Sequence, residues 1–437
     1  MVTVVSTYIL PSSAVDETVT LGAVPPLYLP FYNEWGSNAY YFWKPFRFAP
    51  FGIWAGSTSG SPVVLGQGLF VGFMNETGGT YAYDGAGKLT VTVPAGQELY
   101  IAEGGDPFEA WADYNRIILA RQEAETPGAS RPQAFWSELE YCTWVDQKHE
   151  AGVMGEHVVQ LGLSEKYVYD YMKRVRALGM PAGKLTIDDG WDYATAPDGR
   201  RIYGNWDVDR TRFPHFERMV HDMAEEGFKP GLWFVPFAMT PSCRLAEARP
   251  DLIGHTWSPN PAGEAVRQLH YIVDDDALET YYKNIFDTYI DMGFRKFKLD
   301  MSYGCKRDMK PLMARIYRII KDKDPTVEVE THMPDIFLAR FGDTVRINDV
   351  VFDDAGRWRA VTAEHWRVCR YSSEKILNLD HIGTNTPDPR EEDYVEHARL
   401  LLSLKGGYPC VSLLPDVFGG KTADWFAGAI REWRYEE

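Results

Sequence analysis

The sequence predicts an antiparallel β-sandwich followed by an α/β (β/α)8 TIM barrel, and three observations carry that reading. Short β-type runs broken by Gly, Pro, Asn and Ser fill roughly the first 120 residues, the texture of an antiparallel sheet or sandwich. From Phe135 onward apolar strands alternate with amphipathic helices, which demands a parallel sheet covered by helices. Eight such β/α units in roughly 300 residues select a closed barrel over an open doubly wound sheet.

The elements follow in order. PLYLPFYNEW and the run from FGIWAGSTSG to GQELYIA supply the N-terminal strands. A helical segment, DPFEAWADYNRIILARQEAE, leads into the breaker stretch TPGASRPQ, where the domain boundary is placed: 1–125 for the β-sandwich, 126–437 for the barrel. The barrel strands are LEYCTW (139–144), KLTIDD (184–189), KPGLWFVP (229–236), KFKLDM (296–301), VEVETH (327–332), TVRIND (344–349), KILNLDH (375–381) and YPCVSLL (408–414). Helices such as SEKYVYDYMKRVRALGM and MKPLMARIYRIIKD fill most of the gaps. No glycine-rich GxGxxG or GxxxxGK[ST] follows a strand, which disfavours a dinucleotide or P-loop site.

Composition narrows the function. The chain has 437 residues, 45% apolar and 14% aromatic, and a formal charge of −17 that argues against nucleic acid or an anionic membrane as partner. Five cysteines, Cys142, Cys243, Cys305, Cys369 and Cys410, form no CxxC, so neither a disulfide framework nor a zinc motif is expected. The start MVTVVSTYILPSS lacks a basic n-region, and no run of about eighteen apolar residues occurs, so a cytoplasmic location is expected.

In such a barrel chemistry lies at the C-terminal strand ends, and these are polar here: Trp144, Asp188, Asp189, Asp300, Glu330, His332, Arg346, Asp349, Asp380, His381 and Asp416. Period-two alternation turns Lys298 and Asp300 inward, giving either a structural ion pair or a carboxylate kept ionised for attack. The same parity turns Arg346 and Asn348 inward and sets Asp349 at the loop, where it is either a cap or the partner of Asp300; Asp343, Asp353 and Asp354 compete for that part. Two carboxylates flanking one site are what glycoside hydrolysis needs. Asp188 and Asp189 suit vicinal hydroxyls or a metal, although no metal motif accompanies them, and Gly190 would let the loop approach a ligand. Trp144, Trp191, Trp206 and Trp233 offer faces for a pyranose or belong to the core; Glu330 and His332 share one face and are weaker ligand candidates.

These residues resemble the clan of retaining α-glycosidases, closest to glycoside hydrolase family 36 in its alkaline α-galactosidase and raffinose synthase branch, with similarity to families 27 and 31. Tyr141-Cys142-Thr143-Trp144, Ile187-Asp188-Asp189-Gly190-Trp191, the segment GNWDVDRTRFPHFERMVHDMAEEGFKPGLWFVP, KFKLD and VRIND carry the likeness, which spans Phe135 to about Pro415. The resemblance implies a retaining, α-galactosidase-like hydrolase with Asp300 as nucleophile and Asp349 as acid/base. It also implies that Asp188, Asp189, Lys298 and Arg346 hold sugar hydroxyls and that Trp144 or Trp191 lines the pocket, with Trp233, Glu330 and His332 as further candidates. KLDMSYG departs from the family's Lys-Trp-Asp-Met-Asn, and Arg346 stands closer to Asp349 than in family 27. No cofactor and no metal are expected, and the expected partner is an oligosaccharide or glycoside. A raffinose-synthase-type glycosyltransferase, an α-glucosidase-like hydrolase and a non-catalytic carbohydrate-binding barrel stay as alternatives, and the oligomeric state is open, a homo-oligomer included.

Overall fold

The computed structural model describes residues 6–31, 34–36, 50–125, 132–156, 158–257, 269–302, 304–347 and 349–437. Asn348 and most of the expected boundary stretch fall outside the described residues.

Among the described residues nine strands precede the barrel: β1 (Ser6–Leu10), β2 (Glu17–Gly22), β3 (Leu27–Tyr28), β4 (Gly56–Gly60), β5 (Val64–Gly66), β6 (Leu69–Phe73), β7 (Gly79–Tyr83), β8 (Lys88–Val93) and β9 (Leu99–Glu103). They pair antiparallel into two sheets, ordered β1-β9-β6-β5-β3 and β2-β8-β7-β4. In β8 the alternation Lys-Leu-Thr-Val-Thr-Val buries Leu89, Val91 and Val93 against Val71, Phe73 and Ile101 of the facing sheet.

The predicted barrel is closed and all parallel: β10 (Glu140–Cys142), β11 (Lys184–Ile187), β12 (Lys229–Phe234), β16 (Lys296–Leu299), β17 (Glu328–Thr331), β18 (Thr344–Arg346), β19 (Ile376–His381) and β20 (Gly407–Val411). All eight expected strands are present, in order. Between β12 and β16 the chain makes a three-stranded antiparallel excursion, β13 (Ala238–Met239), β14 (Ile253–Trp257) and β15 (Leu269–Ile272). The ring closes where β10 pairs with β20, Glu140 opposite Cys410 and Tyr141 opposite Val411.

Outside the ring, helices cover the outward-facing residues, except that β17 and β18 are joined by a helix of one turn, Ile336–Ala339. The helix Pro107–Glu125 packs there: Trp111 and Tyr114 meet Asp335, Ile336 and Phe337, and Phe108 meets Tyr371 edge-on at 5.2 Å. The N-terminal part thus supplies apolar cover that the barrel lacks at this point.

Inside the ring the floor is ionic. Lys184 reaches Glu328 at 3.1 Å, and Lys296 lies between Glu140 and Glu330. Asn378 donates to both Glu140 (2.9 Å) and Glu330 (2.7 Å), Thr344 to Glu328 (2.8 Å) and Thr186 to Glu140 (2.6 Å). Burial opposes the charge on Lys296, and its three glutamates more than offset this, raising its pKa. Gly231 completes the floor, since a Cβ there would meet the Thr186 hydroxyl at 2.6 Å.

Candidate active site

Above this floor, one guanidinium organises the mouth. Arg346, last residue of β18, donates from Nη2 to Asp300 (2.9 Å) and from Nη1 to Asp349 (2.8 Å) and Asp380 (3.0 Å). Asp300 follows β16 directly. Its second oxygen accepts the indole N–H of Trp233 at 3.0 Å, and the Met301 amide adds a bond of 2.7 Å to the first. Met301 holds that amide in place from the left-handed region, φ 57°, and Asp380 sits at φ 60°. Non-glycine residues in that region are strained and gather where function fixes the backbone.

Electrostatics divides the acids. Burial works to raise the Asp300 pKa, but Arg346 first, then Lys298 and His332, outweigh it, so the carboxyl lies well below the usual carboxylate range. Burial and then the neighbouring Asp349 push Asp380 well above that range. His332 faces Asp300 at 3.6 Å, and burial with the Arg346 charge lowers it to about 3, so it is a neutral imidazole near neutral pH.

Lys298 does point inward, but its direct partner is across the barrel: it binds Asp188 at 2.8 Å. Asp188 also accepts from the Cys142 thiol at 3.1 Å and the Asp189 amide at 2.8 Å. Of the four competing aspartates, Asp349 alone reaches Arg346. Asp343 is tied to Lys321 (2.5 Å) and Tyr317 (2.9 Å), Asp353 pairs with Arg357 (2.9 Å), and Asp354 is exposed.

Several expected ligands lie elsewhere. Asp189 turns away from Asp188 toward Arg201 (2.5 Å) and Gln160 (2.8 Å), in a cluster with Asp192. Trp191 has no exposed surface: Trp206 and Phe216 stack on it, and its N–H is given to the Trp233 carbonyl at 2.9 Å, so no face is left for a ligand. Gly190 approaches the Gln160 carbonyl, 2.8 Å from where a Cβ would stand, in place of a ligand. Glu330 belongs to the floor, with Arg346 Nε 3.9 Å above it, and Asp416 pairs with Arg174 on the outer helix Glu165–Ala177. Trp144 is half-buried at the mouth, its N–H bonded to Asn385 at 2.9 Å and Lys148 4.9 Å from its ring.

Sequence reading missed Asn385, whose amide also faces Asp349 at 3.4 Å, and the partnership of Asp349 with Asp380. Strand-end polarity marked Asp380, but which carboxylates share an arginine depends on the barrel's register. Two groups of metal-ligand atoms occur among the described residues, Cys142–His381–Cys410 and Asp349–Asp380–His381.

Comparison with known proteins agrees with the barrel fold. Residues 158–316 match the Melibiase family model. In sequence the chain is similar to curated α-galactosidases. It is 34% identical over 264 residues to α-galactosidase Mel36A of Lactobacillus acidophilus, covering 56% of this chain and 34% of that protein. With α-galactosidase AgaA of Geobacillus stearothermophilus it shares 30% identity over 189 residues, 42% of this chain and 25% of that one. The chain therefore spans about a third or less of the length of the curated relatives it matches. In fold it is similar to TtGalA, an α-galactosidase from Thermus thermophilus solved with p-nitrophenyl α-D-galactopyranoside and with stachyose. The TM-score is 0.66 at 17% identity, over 96% of this chain and 92% of that one. Crystalline AgaA gives a TM-score of 0.59 at 13% identity, over 95% and 62%. Among the described residues no helix is long and apolar enough to cross a membrane.

Proposed function

We propose that this chain is an α-galactosidase-like glycoside hydrolase that works with retention of configuration. The observation that carries the reading is the Arg346 guanidinium holding Asp300 and Asp349 on its two terminal nitrogens at the strand ends. Asp300, kept ionised by Arg346, attacks the anomeric carbon while Asp349 protonates the leaving oxygen. The C1–O bond breaks as the ester to Asp300 forms. Asp349 then takes a proton from water, which releases the sugar and restores Asp300. The neutral His332 cannot supply that proton near neutral pH, and Asp349, partly exposed and next to Asp380, whose own proton burial and Asp349 retain, takes the acid's part. Lys298 and Asp188 grip sugar hydroxyls, and Trp144 offers its ring at the rim. By analogy with TtGalA and AgaA, crystallised with stachyose and raffinose respectively, the substrates are α-galactosyl oligosaccharides.

The test is a panel of nitrophenyl α- and β-glycosides with product configuration followed by NMR. The α-galactoside is expected to be cleaved to the α-anomer first. Asp300→Ala should lower turnover by about 10⁴-fold or more. Asp349→Ala, with an activated leaving group, should be rescued by azide to an azide of retained configuration. Wild-type-like hydrolysis by the Asp300 variant would overturn the assignment, and preferential transfer to sugar acceptors over water would make the chain a transferase of the same chemistry.

A further inference from the structure

At the seam where the barrel closes, two thiols and an imidazole converge on one point. Cys142 ends β10, Cys410 lies on β20 and His381 ends β19; all three are buried and both cysteines are free. Cys410 Sγ and His381 Nδ1 are 3.9 Å apart, and no pair of ligand atoms among the three residues is separated by more than 4.8 Å. Three atoms so spaced surround a centre about 2.3–2.8 Å from each, close to the reach of zinc–thiolate and zinc–imidazole bonds.

The surroundings suit a cation. Asp380 Oδ1 stands 3.5 Å from the second nitrogen of His381. Lys298, 3.9 Å from Cys142 Sγ, is already neutralised by Asp188. The sequence hid this grouping because the three ligands come from three strands, with no short spacing between them.

We infer that Cys142, Cys410 and His381 form a binding site for one thiophilic divalent cation of the zinc type. Binding releases both thiol protons to solvent, so the doubly charged ion meets two thiolates and a neutral imidazole. Because the ligands join the first barrel strand to the last two, the ion ties the ring shut and stabilises the folded state. This inference is independent of the glycosidase reading, because its readouts are spectral and thermal.

The experiment titrates the reduced, metal-free full chain with Co²⁺ and then Zn²⁺. Expected are one equivalent of Co²⁺ taken up, thiolate-to-cobalt charge-transfer and tetrahedral visible bands, their loss on adding Zn²⁺, and a higher melting temperature with Zn²⁺. Cys410→Ser should lose the charge-transfer bands and the thermal shift while melting cooperatively. The inference is overturned if the reduced chain takes up no Co²⁺, if Cys410→Ser keeps the bands, or if the two thiols are recovered as a disulfide in place of metal uptake.

Discussion

Replacing Arg346 by Lys keeps a positive charge but removes the fork that spans the two nitrogens. In the structure that fork makes three charge-assisted bonds, to Asp300, Asp349 and Asp380. A single ammonium on a flexible stem cannot hold Asp300 and Asp349 in the same relation, so at least one and as many as two of these bonds are lost. At about 1.5–3 kcal/mol for each hydrogen bond to a charged group, kcat/KM should fall by about 10- to 10⁴-fold. The assay is hydrolysis of an aryl α-galactoside, with thermal melting to show that the variant folds. Arg346→Met adds a second readout. Asp300 must be ionised to attack, and Arg346 is the largest of the charges that lower its pKa, ahead of Lys298, His332 and the Trp233 N–H. Removing the charge therefore moves the acidic limb of the pH–rate profile toward higher pH, and loss of activity extends up from the acid side. Activity of the Lys variant within about threefold of wild type, with an unmoved limb in the Met variant, would refute the role given to this residue.

Three further outcomes follow from the same geometry. Trp233→Phe keeps a flat apolar ring but deletes the 3.0 Å bond to Asp300, and kcat/KM should drop about tenfold, read on the same substrate. Lys296→Met strands Glu140 and Glu330 in the floor and should destabilise the fold by about 3–5 kcal/mol in urea titration, with partial recovery in Lys296→Met/Glu330→Gln. Trp144→Ala removes a ring at the rim and should raise KM for a galactoside more than it lowers kcat, while the melting temperature changes little.

The eight strands were legible because each is a short apolar run bounded by turns, and parity correctly turned Lys298 and Arg346 inward. The observed ladders end sooner than the expected runs: β11 stops at Ile187 and β18 at Arg346, so Asp188, Asp189 and Asp349 stand just beyond the pairing. Partnerships were not legible. Lys298 and Asp300 are two residues apart, yet Lys298 finds Asp188 and Asp300 finds Arg346, because the stagger between strands decides which side chains meet across the ring. Trp191 shows a different limit. Its polar neighbours suggested a binding surface, but Gly190, at φ 137°, turns the loop so that the indole enters the core while Asp189 meets Arg201. Local polarity marks the neighbourhood of a site, whereas the direction of each side chain depends on backbone turns that one sequence does not reveal.

The charged floor also bears on how the ring is assembled. Its members come from β10, β11, β16, β17, β18 and β19, so each cation meets its counter-charge only when strands far apart in the chain are together. A half-built ring ending after β16 would hold Lys184 and Lys296 against Glu140 alone, without Glu328 or Glu330, and the surplus charge stays hydrated until the remaining strands arrive. An apolar interior can collapse piecemeal, whereas this one gains little until closure. The barrel should therefore form in one cooperative step, and the two fragments made by dividing the chain after β16 should fold together but not separately.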